Sequence, residues 1–146
     1  KKTSRKVEVF DERLDILLDD MKDTLYKAEG CGLAAVQVGV LKRVVLVDVG
    51  DGLLELINPE IIEATGEQYE VEGCLSLPGQ SGVTKRPMCV KVKAQNRDGR
   101  WCQYKGEGLK ARAFCHEIDH LDGHLYTERL APEEVINQIK LENDID

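Results

Sequence analysis

Apolar residues recur at helical spacing near the start of the chain. Leu14, Met21 and Leu25 stand seven and four positions apart between acidic residues, which is the pattern of an amphipathic helix. We expect this helix to cover residues 11–29. Gly30 follows it directly, and a glycine at this point predicts a left-handed helix cap.

The pattern then changes to short apolar or alternating runs, which predict strands. Residues 44–49 are apolar and mostly β-branched apart from Asp48, as in a strand that is buried on both faces. A hairpin partner is expected next, and Pro59 is expected to end it because proline cannot donate to a sheet. The predicted strands are residues 44–49, 53–58, 89–94 and 101–105.

Two further helices are predicted in the second half of the chain. One covers residues 108–121 and is stopped by Asp122 and Gly123, and another begins at Pro132 with acidic residues in its first turn. No repeat or linker divides the sequence. The expected fold is therefore one α+β domain over residues 1–146, with mostly antiparallel β-sheets packed around a central helix at 108–121.

Composition and charge narrow the class of protein. The chain has 146 residues, of which 42% are hydrophobic and 32% charged, as in soluble globular proteins. Its net charge of −7 argues against a nucleic-acid-binding surface, because phosphate binding depends on excess lysine and arginine. Five scattered cysteines favour reduced thiols and a cytoplasmic location over a disulfide scaffold.

The sequence contains no apolar run that approaches the roughly 18 residues needed to cross a bilayer, so no membrane partner is expected. The first six residues are basic but precede no apolar segment, which is unlike a signal peptide. The chain also lacks an initiator methionine. We therefore expect the natural N-terminal segment to be missing.

The helix at 108–121 contains the sequence HEIDH at positions 116–120. His116 and His120 lie one turn apart on one helix face, so both imidazoles can reach a single ion. Glu117 is rotated by about 100° from His116, which places its carboxylate beside the ion, where it can hold a bound water. Apolar neighbours put this pair beside a buried face, and that favours a metal site over two unrelated histidines.

A hydrolytic metal site needs a third protein ligand and an open position for water. Cys74 is the best candidate, because glycine and small polar residues around it favour a bent loop that holds a thiolate. Tyr126 stands where a metzincin would have its third histidine. A zincin-like peptidase that uses His124 or Glu128 as third ligand remains an alternative.

Three segments together resemble the peptide deformylase family. GCGLAAVQ at residues 30–37 is similar to the family motif GxGLAAxQ, EGCLS at residues 72–76 matches the second motif, and HEIDH at 116–120 is similar to HExDH. The motifs stand in family order, and the resemblance extends over nearly the whole chain. It implies a single deformylase-like catalytic domain over residues 1–146.

The resemblance implies an enzyme that removes the N-formyl group from the N-terminal methionine of newly made proteins. Its metal ligands would be Cys74, His116 and His120, holding one divalent ion. Fe(II) is expected from the family, while zinc or nickel can occupy the same site. Metal-bound hydroxide would attack the formyl carbon with Glu117 as general acid and base.

The resemblance also assigns groups that contact the substrate, which is an N-formylmethionyl nascent peptide. The Gln37 side chain and the Leu75 backbone N–H would stabilise the oxyanion. Cys31 and Gly32 would line the substrate site, where glycine lets a peptide approach the backbone. The apolar pocket for the methionine side chain would draw on Leu109, Ala113 and His116, beside Cys31. Glu72 and Arg86 are expected to form an ion pair.

The sequence departs from the family at a few positions. Cys115 stands beside a ligand where glutamine is common, and we expect it to serve packing. Ser81 replaces an arginine that contacts longer peptides in some members. The helix after Pro132 is acidic, which argues against docking on ribosomal RNA. A catalytically silent homologue with a structural metal site is a further alternative, although it would need neither Glu117 nor Gln37.

Overall fold

The computed structural model describes residues 3–74 and 77–124, with the backbone alone described at 71–74 and 77–82. Two helices, a 3₁₀ turn and seven strands form this part of the chain. In order they are α1 (Glu12–Lys27), β1 (Gly32–Ala34), the 3₁₀ turn (Ala35–Val38), β2 (Val44–Val47), β3 (Leu54–Thr65), β4 (Gln68–Cys74), β5 (Leu77–Arg86), β6 (Cys89–Gln95), β7 (Trp101–Glu107) and α2 (Leu109–Leu121).

Five of the strands form one antiparallel sheet in the order β1-β2-β3-β6-β7, while β4 and β5 form a separate two-stranded hairpin. This α+β architecture confirms the expected fold class. The helix predicted from Pro132 lies outside the described residues. No helix in the described ranges is long and apolar enough to cross a membrane.

The first helix begins as the sequence predicts. Asp11 caps it, because its side chain accepts hydrogen bonds from the backbone N–H groups of Arg13 and Leu14. Its end differs from the prediction, since Glu29 and not Gly30 takes the left-handed conformation, with φ of 53°. The helix ends at Lys27, two residues earlier than expected, and the left-handed residue lies one position earlier than predicted.

The cap at this end is a Schellman motif. The Gly30 N–H donates to the Leu25 carbonyl at 3.1 Å, and the Glu29 N–H donates to the Tyr26 carbonyl at 3.1 Å. The prediction that Gly30 itself supplies the left-handed residue was wrong.

Strand β3 continues past the proline that was expected to end it. The register changes from Ile57 opposite Gln95 to Glu60 opposite Lys93, so β3 holds one extra residue there. Pro59 stands inside this bulge, where a missing N–H removes no ladder bond. The prediction that Pro59 closes the strand was therefore wrong.

Asn58 makes the bulge possible. Its φ is 53°, a conformation that asparagine tolerates better than most residues. Its side chain accepts from the Val7 N–H at 2.8 Å and donates to the Val7 carbonyl at 2.9 Å and to Gln95 Oε1 at 2.7 Å. The buried amide thus ties the N-terminal segment to the middle of the sheet.

Strand β2 separates two apolar cores, which explains its continuous apolar sequence. Val45 and Val47 face the core under α2, while Val44 and Leu46 face the core under α1. All four are essentially inaccessible to solvent. A strand buried on both faces needs no polar positions, so the expectation for residues 44–49 is confirmed over Val44–Val47.

Candidate active site

The two histidines of α2 converge on one point. The Nε2 atoms of His116 and His120 are 3.3 Å apart, and their rings meet edge to face at 75° with centroids 4.9 Å apart. Two nitrogen ligands about 2.1 Å from a tetrahedral ion would lie about 3.4 Å apart. The pair therefore fits a single metal ion without rearrangement, as the i and i+4 spacing predicted.

Glu117 lies between these histidines in sequence and close to them in space. One of its carboxylate oxygens lies no more than 4.8 Å from the ring nitrogens of His116 and His120, and the residue is only 5% exposed. The carboxylate also packs directly over Gly32 of β1. A buried carboxylate beside two potential ligands suits proton transfer to and from a bound water.

A buried ion pair joins the motif on α2 to the β4–β5 hairpin. The Arg86 guanidinium donates to the Asp119 carboxylate, and both residues are largely shielded from solvent. Asp119 is the fourth residue of the HEIDH motif and precedes His120. This contact fixes the hairpin against the turn of α2 that carries HEIDH.

Two further polar contacts join the same elements. Arg112, one turn before His116, donates from Nη1 to Thr84 Oγ1 of β5 at 2.7 Å. The Gln68 side chain of β4 donates to the Gly108 carbonyl at 2.8 Å, just where α2 begins. The contacts of Gln68, Thr84 and Arg86 therefore attach the hairpin to α2 at Gly108, Arg112 and Asp119.

The third candidate ligand belongs to this hairpin. Cys74 ends β4, and the pairing with β5 shifts register between Gly73 and Cys74, so the backbone is irregular there. The side chains of Cys74 and Glu72 and all of Leu75 lie outside the described residues. The roles predicted for Cys74 and Leu75, and the ion pair predicted between Glu72 and Arg86, stay predictions.

Gln37 lies in the 3₁₀ turn that follows β1. Its Oε1 accepts a hydrogen bond from the Ala34 N–H at 2.9 Å, which fixes the orientation of the amide. With the oxygen engaged in this way, the Nε2 group is the end that remains for donation to a ligand. The turn places this half-buried amide directly after the strand that approaches Glu117.

The expected substrate-contacting residues lie on two elements that pack together. Cys31 is exposed and Gly32 is half-buried at the start of β1. On α2, Leu109 is 56% exposed and Ala113, one turn later, is 6% exposed. The fold thus brings β1 and α2 together, while the pocket assigned to the methionine side chain stays a prediction.

The geometry of β1 leaves backbone groups available beside Glu117. The Asp48 N–H donates to the Cys31 carbonyl, so Gly32 and Val47 form a non-hydrogen-bonded pair of the ladder. The N–H and C=O of Gly32 therefore point away from β2. Among the described strands β1 is an edge of the sheet, so these groups face its open side.

Comparison with known proteins decides the family. The model of the polypeptide deformylase family matches residues 1–135. The chain belongs to this family. A peptide deformylase of Acetivibrio thermocellus is 61% identical over 130 residues, which cover 89% of this chain and 76% of the relative. A peptide deformylase of Caldicellulosiruptor bescii is 54% identical over 147 residues, covering 99% and 89%.

Solved structures of deformylases have the same fold. The crystal structure of peptide deformylase from Thermotoga maritima matches with a TM-score of 0.87 at 42% identity, covering 90% of each chain. A peptide deformylase from Synechococcus elongatus in complex with actinonin matches with a TM-score of 0.85 at 34% identity, covering 99% of this chain and 80% of that one. Membership of the deformylase family implies a divalent metal ion, and His116, Glu117 and His120 form a candidate site for it.

Several buried polar residues around the deformylase site were not predicted from sequence. Gln68, Thr84, Arg112 and Asp119 join the hairpin to α2. A signal existed for Arg112, which stands four residues before His116 between the apolar residues Ala111 and Ala113. A charged side chain on the face of a predicted metal ligand indicates a buried polar partner, because an unpaired buried charge is too costly.

Proposed function

We propose that this chain is a metal-dependent amide hydrolase that removes the N-formyl group from the N-terminal methionine of newly made proteins. One divalent ion, Fe(II) by family expectation with zinc or nickel as substitutes, is held by Cys74, His116 and His120. The observation that supports this most strongly is the 3.3 Å approach of the two histidine nitrogens beside the Glu117 carboxylate.

The ion, when bound, would act as a Lewis acid that lowers the pKa of a coordinated water to about 7. Glu117 takes the proton of this water and later gives it to the leaving amine of methionine. The burial of Glu117 supports that role, because bulk solvent does not compete with a shielded carboxylate for the proton of the coordinated water.

Two donors stabilise the negative charge that develops on the formyl oxygen. They are the Nε2 group of Gln37 and the backbone N–H of Leu75. The hydrogen bond from the Ala34 N–H to Gln37 Oε1 supports the first assignment, because it fixes the orientation of the amide whose other end is the donor. Donors that are fixed in advance need no reorganisation when charge appears.

The formylated peptide binds as an added strand along the open edge of β1. The N–H and C=O of Gly32 pair with its main chain, beside the exposed Cys31. The methionine side chain enters the apolar surface formed by Leu109 and Ala113. This placement brings the formyl group, which precedes methionine, close to His116 and Glu117.

The decisive experiment combines anaerobic purification, elemental analysis and a deformylation assay with formyl-Met-Ala-Ser. We expect about one equivalent of a divalent metal and rapid release of formate. Cys74→Ser should lose metal and activity together, while Cys89→Ser, on the outer side of β6, should keep both.

The outcomes separate the alternatives. If Cys74→Ser retains metal and activity, the third ligand is elsewhere, as in a peptidase that uses His124 or Glu128. If the parent binds one metal yet leaves formyl-Met-Ala-Ser intact under conditions where a control deformylase cleaves it, the chain is a silent homologue. Both results would contradict the proposed function.

A further inference from the structure

Gly32 has a neighbour that explains its identity better than backbone conformation does. A Cβ added at Gly32 would lie 2.7 Å from both Cγ and Oε2 of Glu117 and 3.0 Å from Cδ. Its φ is outside the left-handed region, so any residue could adopt its backbone conformation. The Glu117 carboxylate therefore occupies the volume that a side chain at position 32 would need.

The alternation of β1 explains this approach. Leu33 belongs to the core under α1, whereas Ala34 belongs to the core under α2 together with Ile118. Since residues two apart on a strand share a face, Gly32 also faces α2. The two small residues on this face let α2 lie close enough for Glu117 to reach the main chain of β1.

We propose that Gly32 is the positioning residue for the Glu117 carboxylate. The inference rests on the proposed function, because it assigns Gly32 a task in the same proton transfer. The N–H and C=O of Gly32, on the open edge of β1, bind the peptide. The absence of a Cβ at Gly32 leaves room for the Glu117 carboxylate. One residue thereby fixes the distance between the substrate strand and the general base.

Catalysis and substrate binding should respond differently when a side chain is added at position 32. Gly32→Ala keeps the N–H and C=O that face the open edge, so the KM for the formyl peptide should change less than threefold. The added methyl displaces the carboxylate, and a misplacement of about 1 Å costs about 10²-fold in rate. We therefore expect kcat to fall about 100-fold at unchanged metal content.

Gly106 provides a matched control. A Cβ there would lie 2.8 Å from Phe114 Cε2, so Gly106→Ala makes a comparable clash with α2 away from the site. We expect Gly106→Ala to lower the thermal unfolding midpoint, while kcat per folded molecule stays within twofold of the parent. A kcat loss of similar size in both variants would overturn the proposal, since it would show a general effect of clashing with α2.

Shortening Glu117 tests the contact itself. Glu117→Asp removes one methylene, which leaves room for a methyl group at position 32. We expect Gly32→Ala to lower the unfolding midpoint of the parent by several degrees and to lower it by less than one degree in the Glu117→Asp background. The kcat of the double variant should likewise be at least tenfold higher than the product of the two single-variant losses would give.

Equal midpoint losses in the two backgrounds, or a rise in KM without a fall in kcat, would overturn the proposal and assign Gly32 to substrate contact alone. The comparison of unfolding midpoints requires no enzymatic activity, so it tests the contact between Gly32 and Glu117 even if formyl-Met-Ala-Ser is not cleaved. Absence of cleavage by the parent would instead contradict the proposed function.

Discussion

The two faces of the five-stranded sheet pack against helices of opposite character. α1 buries one apolar stripe and leaves its acidic side in solvent, the stripe being Leu14, Leu18, Met21 and Leu25. α2 is buried at ten of its thirteen positions, and four of the ten carry charged groups or an imidazole, namely Arg112, Glu117, Asp119 and His120.

This contrast indicates a division of labour between the two faces. Burying a charged or polar group costs free energy unless a partner compensates it. Packing the α2 face against the sheet therefore costs more free energy than packing the α1 face. The buried residues of α1 itself are all apolar. Stability is therefore expected to come mainly from α1 and its contacts, while activity depends on α2.

The largest expected effect separates activity from stability at α2. Glu117→Gln removes the proton acceptor, so kcat should fall by about 10²- to 10⁴-fold. The free energy of unfolding of the metal-free protein should stay the same or rise, because a buried charge is replaced by a neutral group. Urea unfolding, elemental analysis and the deformylation assay check this, with the exposed Glu107→Gln as control. A fall in the free energy of unfolding together with the fall in kcat would contradict this division of labour between the two faces.

The second largest effect is the reverse case at α1. Leu18 is fully buried, so Leu18→Ala should lower the free energy of unfolding by about 2–5 kcal/mol. At temperatures where the variant stays folded, kcat/KM per folded molecule should remain within twofold of the parent. Ile16→Ala, on the same helix but 53% exposed, should change stability by less than about 0.5 kcal/mol. A large fall in kcat/KM for Leu18→Ala would show that α1 also shapes the site.

The two faces also differ in how well sequence predicts them. The α1 stripe and the apolar β2 follow from periodicity, because a purely apolar core leaves a regular pattern. The β4–β5 hairpin was not predicted at all. Its inward contacts to α2 are made by Gln68, Thr84 and Arg86, so the alternation that marks a strand is absent there.

The candidate site shows the same limit. The spacing of His116 and His120 dictates that their nitrogens converge, so that pair could be predicted from the helix alone. The contact between Gly32 and Glu117 joins residues 85 positions apart and depends on how closely α2 lies on β1. Sequence marks both residues as unusual, but only the packing of the two elements shows that they touch.

A smaller effect concerns the end of α1, outside both cores. Glu29 adopts φ of 53°, which costs a residue with a side chain about 1–2 kcal/mol. Glu29→Gly should therefore raise the free energy of unfolding by about 0.5–1 kcal/mol after the larger entropy of the unfolded glycine chain is counted. Ala28→Gly, at a right-handed φ of −84°, should lower it by a similar amount. Thermal unfolding of the two variants measures the difference, and a gain for both would contradict the cap assignment.

The smallest effect tests whether α1 influences the site through its last turn. The Tyr26 hydroxyl donates to Asp48 Oδ2 at 2.6 Å, and the N–H of Asp48 bonds the carbonyl of Cys31. The hydrogen bond from Tyr26, followed by that from the Gly50 N–H, lowers the pKa of the Asp48 carboxyl. The same bond to Asp48 raises the pKa of Tyr26. Tyr26→Phe should therefore raise the pKa of Asp48 toward its ordinary value, which an NMR titration of the carboxyl carbon measures.

The sign of the pH dependence follows from these two shifts. A lowered carboxyl pKa stabilises the fold above the ordinary carboxyl range, and this contribution disappears as pH falls through the folded value. A raised tyrosine pKa contributes below the ordinary tyrosine range and disappears as pH rises through its folded value. The parent should thus exceed Tyr26→Phe in stability at neutral pH and lose that advantage at both extremes. An unchanged kcat/KM would keep α1 as a purely stabilising element, whereas a raised KM would show that this hydrogen bond holds Cys31 in place for substrate.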